Sequence, residues 1–283
     1  MNIELPSILF SEDVQRSLRE DLGRAGDLST LATIGVDQMA DAAFVAREGG
    51  VVCGLVHAQK AFELIDPSLK FEILMPDGSI VSPGDAVARV TGRARPILFA
   101  ERTALNFACH LSGIATMTAR YVSEIAHTHA RMCCTRKTIP GMRTSQKYAV
   151  RCGGGWNHRF GLDDAILIKD NHIAVAGGIE AALRGANAFA GHLVKIEIEV
   201  DTLSQLDEAL THGADCILLD NFETASLVEA VQLTAGRAKL EASGGVRLSS
   251  VREIAETGVD YISSSQLTMS AETFDIGLDI AVS

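Results

Sequence analysis

The rhythm of apolar positions changes near residue 130. Beyond it, short apolar runs recur at 132–134, 165–168, 193–200, 216–219, 239–242 and 261–263. Amphipathic segments fill most of the gaps, at 179–189, 203–211, 224–233 and 248–257. Short apolar strands alternating with helices predict βα units on a parallel sheet, with 148–152 a candidate seventh strand. A closed or nearly closed α/β barrel fits this better than a doubly wound open sheet. The earlier part is mixed. A helix is expected over 11–22, opened by Ser11, Glu12 and Asp13 and stopped by Gly23. Residues 26–30 read as a loop, 42–55 as two short strands broken at Gly49-Gly50, and 57–65 as a helix. Residues 70–75 read as a strand before an Asp77-Gly78 turn, and 80–91 as a hairpin. A long helix is expected over 97–127, with Leu98, Arg102, Leu105 and Cys109 on one narrow stripe. Arg102 therefore occupies a position where an apolar side chain is expected. The expected division is an α+β domain over 1–113, a barrel over 114–268, and a tail over 269–283. The tail has no strand left to make and is expected to pack back on the first domain.

Composition narrows the class. The 283 residues are 47% hydrophobic and 22% charged, as in ordinary water-soluble domains. A pI near 5.2 argues against general nucleic-acid binding. No secretory signal opens the chain, and no apolar run approaches the 18 or so residues that a membrane span needs. The six cysteines form no CxxC pair and read as free thiols of a cytoplasmic protein.

Charge is distributed unevenly. Residues 131–172 carry eight Lys/Arg against three Asp, while the other 241 residues carry 17 basic and 33 acidic side chains. An acidic protein with such a focus suits a small, strongly anionic ligand. In a barrel, functional groups belong where strands end and loops begin. The runs here end in Thr135-Arg136-Lys137, Lys169-Asp170-Asn171-His172, Asp220-Asn221, Ser243-Gly244-Gly245 and Ser263-Ser264-Ser265, with Glu197 and Glu199 in the run before Asp220. Gly153–Gly155 precedes His158-Arg159 and is a candidate for close approach of backbone to ligand. Glu197 and Glu199 alternate with isoleucines and so share one side of a strand; Lys137, Lys169 and Lys195 are the cations available to pair with them. His158 and His172 lack metal-ligand spacing, so no tight protein-only metal site is expected. A Mg²⁺ carried by a phosphorylated substrate is the more natural metal.

TRKTIPGMR at 135–143, KYAV at 147–150, GGGxxHR at 153–159, LIKDNHI at 167–173, EIEVD at 197–201, ILLDNF at 217–222 and SGGV at 243–246 resemble quinolinate phosphoribosyltransferase. GDLST at 26–30, EGGVVCG at 48–54 and ERTALNFACHLSGIAT at 101–116 extend the resemblance over nearly the whole chain. It departs at Gln146, where the family has an acidic residue, and at 264–269, where the family's Val-Gly and Leu-Thr-His give way to SSQLTM. The resemblance implies a small N-terminal α+β sandwich domain and an incomplete, about seven-stranded α/β barrel. It implies transfer of phosphoribose from phosphoribosyl pyrophosphate to quinolinate with decarboxylation, giving nicotinate mononucleotide, pyrophosphate and CO₂. It implies Mg²⁺ but no organic cofactor, and a homodimer at least, with no nucleic-acid or membrane partner. Arg102 from a neighbouring subunit, with Arg136, His158, Arg159 and Lys169, would hold the two carboxylates. Lys137 and Lys169 would face the phosphates, Thr135 would join the substrate site, and Glu199 and Asp220 would hold the ribose hydroxyls and Mg²⁺. Ser243, Gly244 and Gly245 with Ser263, Ser264 and Ser265 would hold the 5′-phosphate. Catalysis would rest on Lys137, Lys169, Glu199 and Asp220.

Three other readings compete. A Schiff-base aldolase would use Lys169 as a neutral amine. A paralogue would keep the scaffold with a different substrate, against which the arginines at 102, 136 and 159 argue. A carrier module would explain the hairpin-like DGSIVSPGDAVARV but leave some two hundred residues without a role.

Overall fold

The computed structural model describes residues 4–281. Among them run strands β1 (Met39–Ala46), β2 (Gly50–Val51), β3 (Lys70–Ile73), β4 (Ile80–Val81), β5 (Ala86–Arg93), β6 (Arg131–Cys133), β7 (Ile166–Ile168), β8 (Ile196–Val200), β9 (Cys216–Asp220), β10 (Lys239–Ser243), β11 (Tyr261–Ser263) and β12 (Ile276–Ala281). The chain divides into two units. The first takes the residues up to Ala119, Ile139–Gly154, and those from Ser270 on; the second takes Arg120–Thr138 and Gly155–Met269.

The first unit is built on an antiparallel sheet in the order β12-β1-β5-β3. Alternate residues of β1 (Ala40, Ala42, Phe44 and Ala46) are buried, the period-two pattern of a half-covered strand. Phe44 meets Phe62 of helix Leu55–Ile65 and Phe71 of β3 at 5.9 and 5.7 Å between ring centroids, which ties helix to sheet. Several expectations are corrected here. The tail does make a strand, β12, paired with β1. Residues 80–91 are not a hairpin, because β4 pairs with β2 while β5 pairs with β1 and β3. Residues 26–30 are not merely a loop: Asp27 accepts the Thr30 N–H and caps a short helix, Leu28–Thr33.

The long helix is Ala94–Ile125. Its buried stripe runs through Ile97, Ala100, Ala104, Ala108, Leu111 and Ala115, so Arg102 falls on the exposed side. The helix faces inward with its small residues because backbone approaches closely there. A Cβ on Gly113 would sit 2.0 Å from the Glu272 carbonyl oxygen.

In the second unit six parallel strands lie in the order β6-β11-β10-β9-β8-β7. Beyond β6 the only further pairing among the described residues is a one-residue bridge. Trp156 N–H donates to the Met132 carbonyl at 2.8 Å, and Cys134 N–H donates to the Trp156 carbonyl at 3.0 Å. This bridge, not 148–152, takes the seventh position of the incomplete α/β barrel. Residues 148–152 belong to helix Arg143–Cys152 of the first unit, whose stretch from Ser145 to Val150 is wholly buried. A short buried helix and a buried strand look alike in apolar content.

Candidate active site

Register aligns the chemistry of the second unit. Glu199 of β8 lies opposite Leu218 of β9, which lies opposite Glu241 of β10; one pleat further, Asp220 lies opposite Ser243. Residues two apart on a strand share a face, so one surface of the sheet presents Glu197 and Glu199, Leu218 and Asp220, Glu241 and Ser243. These side chains, apart from Glu197, help to line a cavity of about 600 Å³. Its wall is completed by Thr135, Arg136, Lys137, His158, Arg159, Lys169, Gly244, Gly245 and Ser263. A smaller recess of about 180 Å³ adjoins Lys137 and the two glycine–serine loops, and there Arg247, Ser264, Ser265 and Gln266 join the lining. Every expected site residue except Arg102 therefore lines one of the two spaces. Arg102 belongs to the first unit.

The cavity is polarised. Lys169 Nζ lies 2.5 Å from Glu199 Oε2. Arg159 is half-buried, and its Nη1 donates to the Ala165 carbonyl at 3.0 Å. Burial, and then the charge of Arg136, pull the affinity of the Arg159 guanidinium for its proton below its ordinary value. Arg136 lines the same cavity, so two like charges share it, which favours an anionic ligand there. Opposite, burial pushes the Asp220 carboxyl up, and Lys169 opposes that shift. Lys137 is held by its backbone: its N–H donates to Thr135 Oγ1 at 3.0 Å, and its carbonyl accepts from Thr268 Oγ1 at 2.7 Å.

The loops after β9 and β10 interlock. Asn221, at φ 56°, donates its N–H to the Ser243 carbonyl at 2.8 Å. Gly244 has φ 92°, and a Cβ there would lie 2.2 Å from Asn221 Oδ1, so only glycine fits. Ser263 Oγ donates to Ser243 Oγ at 3.0 Å. Ser264 differs from its neighbours: its hydroxyl donates to the Val246 carbonyl at 3.0 Å and accepts the Gln266 N–H at 3.2 Å. It braces the loop and leaves only backbone for a ligand.

Four expectations change, two of them about ion pairing. Glu197 is paired with His158, whose Nε2 donates to its Oε2 at 2.9 Å. Lys195 points away and meets Asp215 at 3.5 Å on an exposed surface. Gly153 serves packing: a Cβ there would lie 2.3 Å from the Ala115 carbonyl oxygen, backbone of its own unit rather than of a ligand. The basic focus of 131–172 is also divided in space. Lys147, Arg143 and Arg151 lie on the helix of the first unit, and Arg131 stacks over Trp156 at 4.1 Å. Arg136, Lys137, Arg159 and Lys169 remain at the cavity.

His158, Glu197 and Glu241 bring three potential metal-ligand atoms within 4.8 Å of one another, a grouping the linear spacing did not suggest. Arg159 N–H donates to His158 Nδ1 at 2.8 Å. That bond leaves Nδ1 as the acceptor and the ring proton on Nε2, the atom a metal would need bare. Sequence reasoning also passed over Glu241, Arg247 and Gln266, and it placed Asn221 at a strand end without giving it a role. The period-two spacing of Glu241 and Ser243 was the available signal for the first of these.

With this geometry in place, comparison with known proteins is decisive. The model of the quinolinate phosphoribosyl transferase N-terminal domain matches residues 27–112, and that of the C-terminal domain matches 114–279. The chain belongs to the quinolinate phosphoribosyltransferase family. A Mycobacterium leprae relative named nicotinate-nucleotide pyrophosphorylase (carboxylating) is 42% identical over 274 residues, covering 95% of this chain and 96% of its own. The crystal structure of NadC from Streptococcus pyogenes superposes with a TM-score of 0.95 at 38% identity, over 99% of each chain. The nicotinate-nucleotide pyrophosphorylase from Ehrlichia chaffeensis gives 0.92 at 40% identity, over 99% of this chain and 100% of its own. In this quinolinate phosphoribosyltransferase family member no helix among the described residues is long and apolar enough to cross a membrane.

Proposed function

We propose that this protein transfers the phosphoribosyl group of phosphoribosyl pyrophosphate to quinolinate and releases CO₂, giving nicotinate mononucleotide and pyrophosphate. The single observation that carries this is the juxtaposition of Arg136 and Arg159, two guanidiniums in one cavity, with Lys137 and Lys169 lining the same space. Guanidinium forks suit planar carboxylates, and ammonium groups suit phosphate as point charges.

In the reaction the pyridine nitrogen's lone pair forms the bond to the anomeric carbon. The bond from that carbon to pyrophosphate breaks, and pyrophosphate leaves with the electron pair. The ring oxygen and anomeric carbon carry positive charge in the transition state, which Glu199 and Asp220 stabilise from the strand ends. No protein base is needed. The C2–carboxylate bond then breaks, CO₂ departs, and the electron pair left at C2 beside the cationic nitrogen takes a proton from water. Arg136 and Arg159 orient the dicarboxylate, while Lys137, Gly244, Gly245, Ser243 and Ser263 receive the phosphates. Glu199 and Asp220 sit on neighbouring strands, and Glu199 already shares one oxygen with Lys169. Two oxygen ligands of this kind suit a Mg²⁺ that arrives mainly on phosphate. When bound, Mg²⁺ neutralises charge on the departing pyrophosphate. Arg102, exposed on its own unit, acts in the site of a second subunit of a homodimer. Six free cysteines suit a reducing cytoplasm.

The Schiff-base reading of Lys169 loses support because that ammonium is ion-paired with Glu199 rather than desolvated as a neutral amine. The carrier reading loses support because Asp77, at the turn, accepts N–H groups from Gly54 and Leu55 at 3.0 Å each and is part of the packing. The test is to incubate purified protein with quinolinate, phosphoribosyl pyrophosphate and Mg²⁺ and to follow nicotinate mononucleotide by chromatography. Formation dependent on all three is expected; no product would refute the assignment.

A further inference from the structure

Glu241 has no role in the steps above, yet it is only 5% exposed, in the middle of β10 between Leu240 and Ala242. Its Oε1 lies 3.8 Å from His158 Nε2 and accepts no hydrogen bond. Glu197 is held against the same nitrogen at 2.9 Å. Burying two carboxylates together costs free energy, and Leu218 on the adjoining strand shows that an apolar side chain packs at this level of the sheet. The cost calls for a return elsewhere.

That return lies on the other side of the imidazole. Because Nδ1 accepts the Arg159 N–H, the ring presents its proton to Glu197 through Nε2. The ring is therefore held at both ends: at Nε2 by Glu197 of β8, with Glu241 of β10 beyond it at 3.8 Å, and at Nδ1 by the backbone of Arg159. The Arg159 side chain leaves from that same fixed backbone and is tethered again at Ala165.

We propose that Glu197 and Glu241 are positioning residues that hold His158 as its Nε2–H tautomer, and that His158 in turn fixes the Arg159 backbone so that its guanidinium meets the substrate carboxylate. The proposal rests on the quinolinate reading for the identity of that carboxylate, but the tautomer and the grip on the loop do not depend on it. His158 is then a brace for the carboxylate site, with both ring nitrogens engaged within the protein.

Two measurements test it. The first is ¹⁵N NMR of the histidine ring nitrogens in the wild-type protein, with the His158 signals assigned by their loss in His158→Gln. A neutral ring with its proton on Nε2 is expected; a proton on Nδ1 overturns the proposal, and the reading needs no substrate to turn over. The second is steady-state kinetics of Glu197→Leu, Glu197→Gln and Glu241→Leu. Each leucine variant should raise the quinolinate KM roughly 10–100-fold, the scale of a displaced orienting group. The KM for phosphoribosyl pyrophosphate should stay near wild type. Glu197→Gln keeps an acceptor oxygen and should recover most of the loss, which a purely structural role would not predict. Folded leucine variants with unchanged quinolinate KM would also overturn the proposal. A wild-type protein that shows the Nε2–H ring but no turnover of quinolinate would refute the assigned reaction and leave the brace standing.

Discussion

Lys169 Nζ lies 2.5 Å from Glu199 Oε2, joining the end of β7 to the end of β8 across the cavity wall. The lysine side chain is 47% exposed and the glutamate side chain 10%, so the pair puts an ammonium into the cavity over a carboxylate that is nearly dry. Replacing Lys169 with Ala removes a cation that faces the phosphates and strands Glu199. A loss of roughly 2–4 kcal/mol in transition-state stabilisation is expected, read as kcat/KM. Near-normal kcat/KM would take Lys169 out of the chemistry.

Gly244 and Ser264 separate backbone geometry from hydroxyl chemistry in the phosphate recess. Gly244→Ala meets Asn221 Oδ1 at 2.2 Å in a left-handed conformation and should abolish activity by displacing the Asn221 loop. Ser264→Ala removes hydroxyl bonds to Val246 and Gln266. Its cost should be about 1 kcal/mol of stability, with the KM for phosphoribosyl pyrophosphate little changed. Thermal denaturation and steady-state kinetics of the two variants decide this. A large KM effect in a fully stable Ser264→Ala would mean that the hydroxyl reaches ligand.

Strand ends and their chemistry were legible in the sequence because a parallel α/β barrel presents its functional groups where strands end and loops begin. Thr135 to Lys137, Lys169, Glu199, Asp220 and Ser243 to Gly245 all line one cavity for that reason. What escaped depended on three-dimensional closeness. Glu241 sits inside the run Lys239–Ser243, and its nearness to Glu197 follows from strand order that no spacing encodes. Arg102 was placed on an apolar stripe because Leu98 and Cys109 outweighed alanines by hydrophobicity; in the helix the alanines face inward because closeness of backbone matters more there than side-chain size. Lys147 and Arg151 counted toward a basic focus, but the chain carries them into the first unit.

His57 predicts an acid limit to stability in the first unit. It is fully buried, its ring centroid lies 4.1 Å from that of Phe10 and 5.3 Å from that of Phe107, and its Nε2 meets Ser145 Oγ at 2.9 Å. Burial lowers its pKa from 6.5 to about 3. The unfolded chain therefore takes up a proton as pH falls through 6.5, while the folded protein refuses it until about 3. The contribution is whole above the higher value and is lost toward the lower one, at up to ~1.4 kcal/mol per pH unit. Denaturation followed from pH 8 to pH 4 should show stability falling below about 6.5, with a shallower fall in His57→Gln. Equal slopes would show that His57 does not set the acid limit.

Arg102 tests the shared site. If it serves a partner's cavity, Arg102→Ala and Lys169→Ala are each inactive alone, yet co-expression restores activity. A mixed dimer carries both lesions in one site and none in the other. Random pairing gives about half mixed dimers and so about a quarter of wild-type activity. Mixed dimers that form without activity would place Arg102 within its own chain.

The most direct test of the paired guanidiniums as a dicarboxylate site is a single coupled assay with two acceptors. With quinolinate, CO₂, pyrophosphate and nicotinate mononucleotide should appear in equal amounts and only in the presence of phosphoribosyl pyrophosphate. With nicotinate, which lacks the second carboxylate and leaves a cation unmatched, kcat/KM should fall by ~10⁴-fold or more. Equal use of both acceptors, or pyrophosphate release without CO₂ from quinolinate, would contradict it.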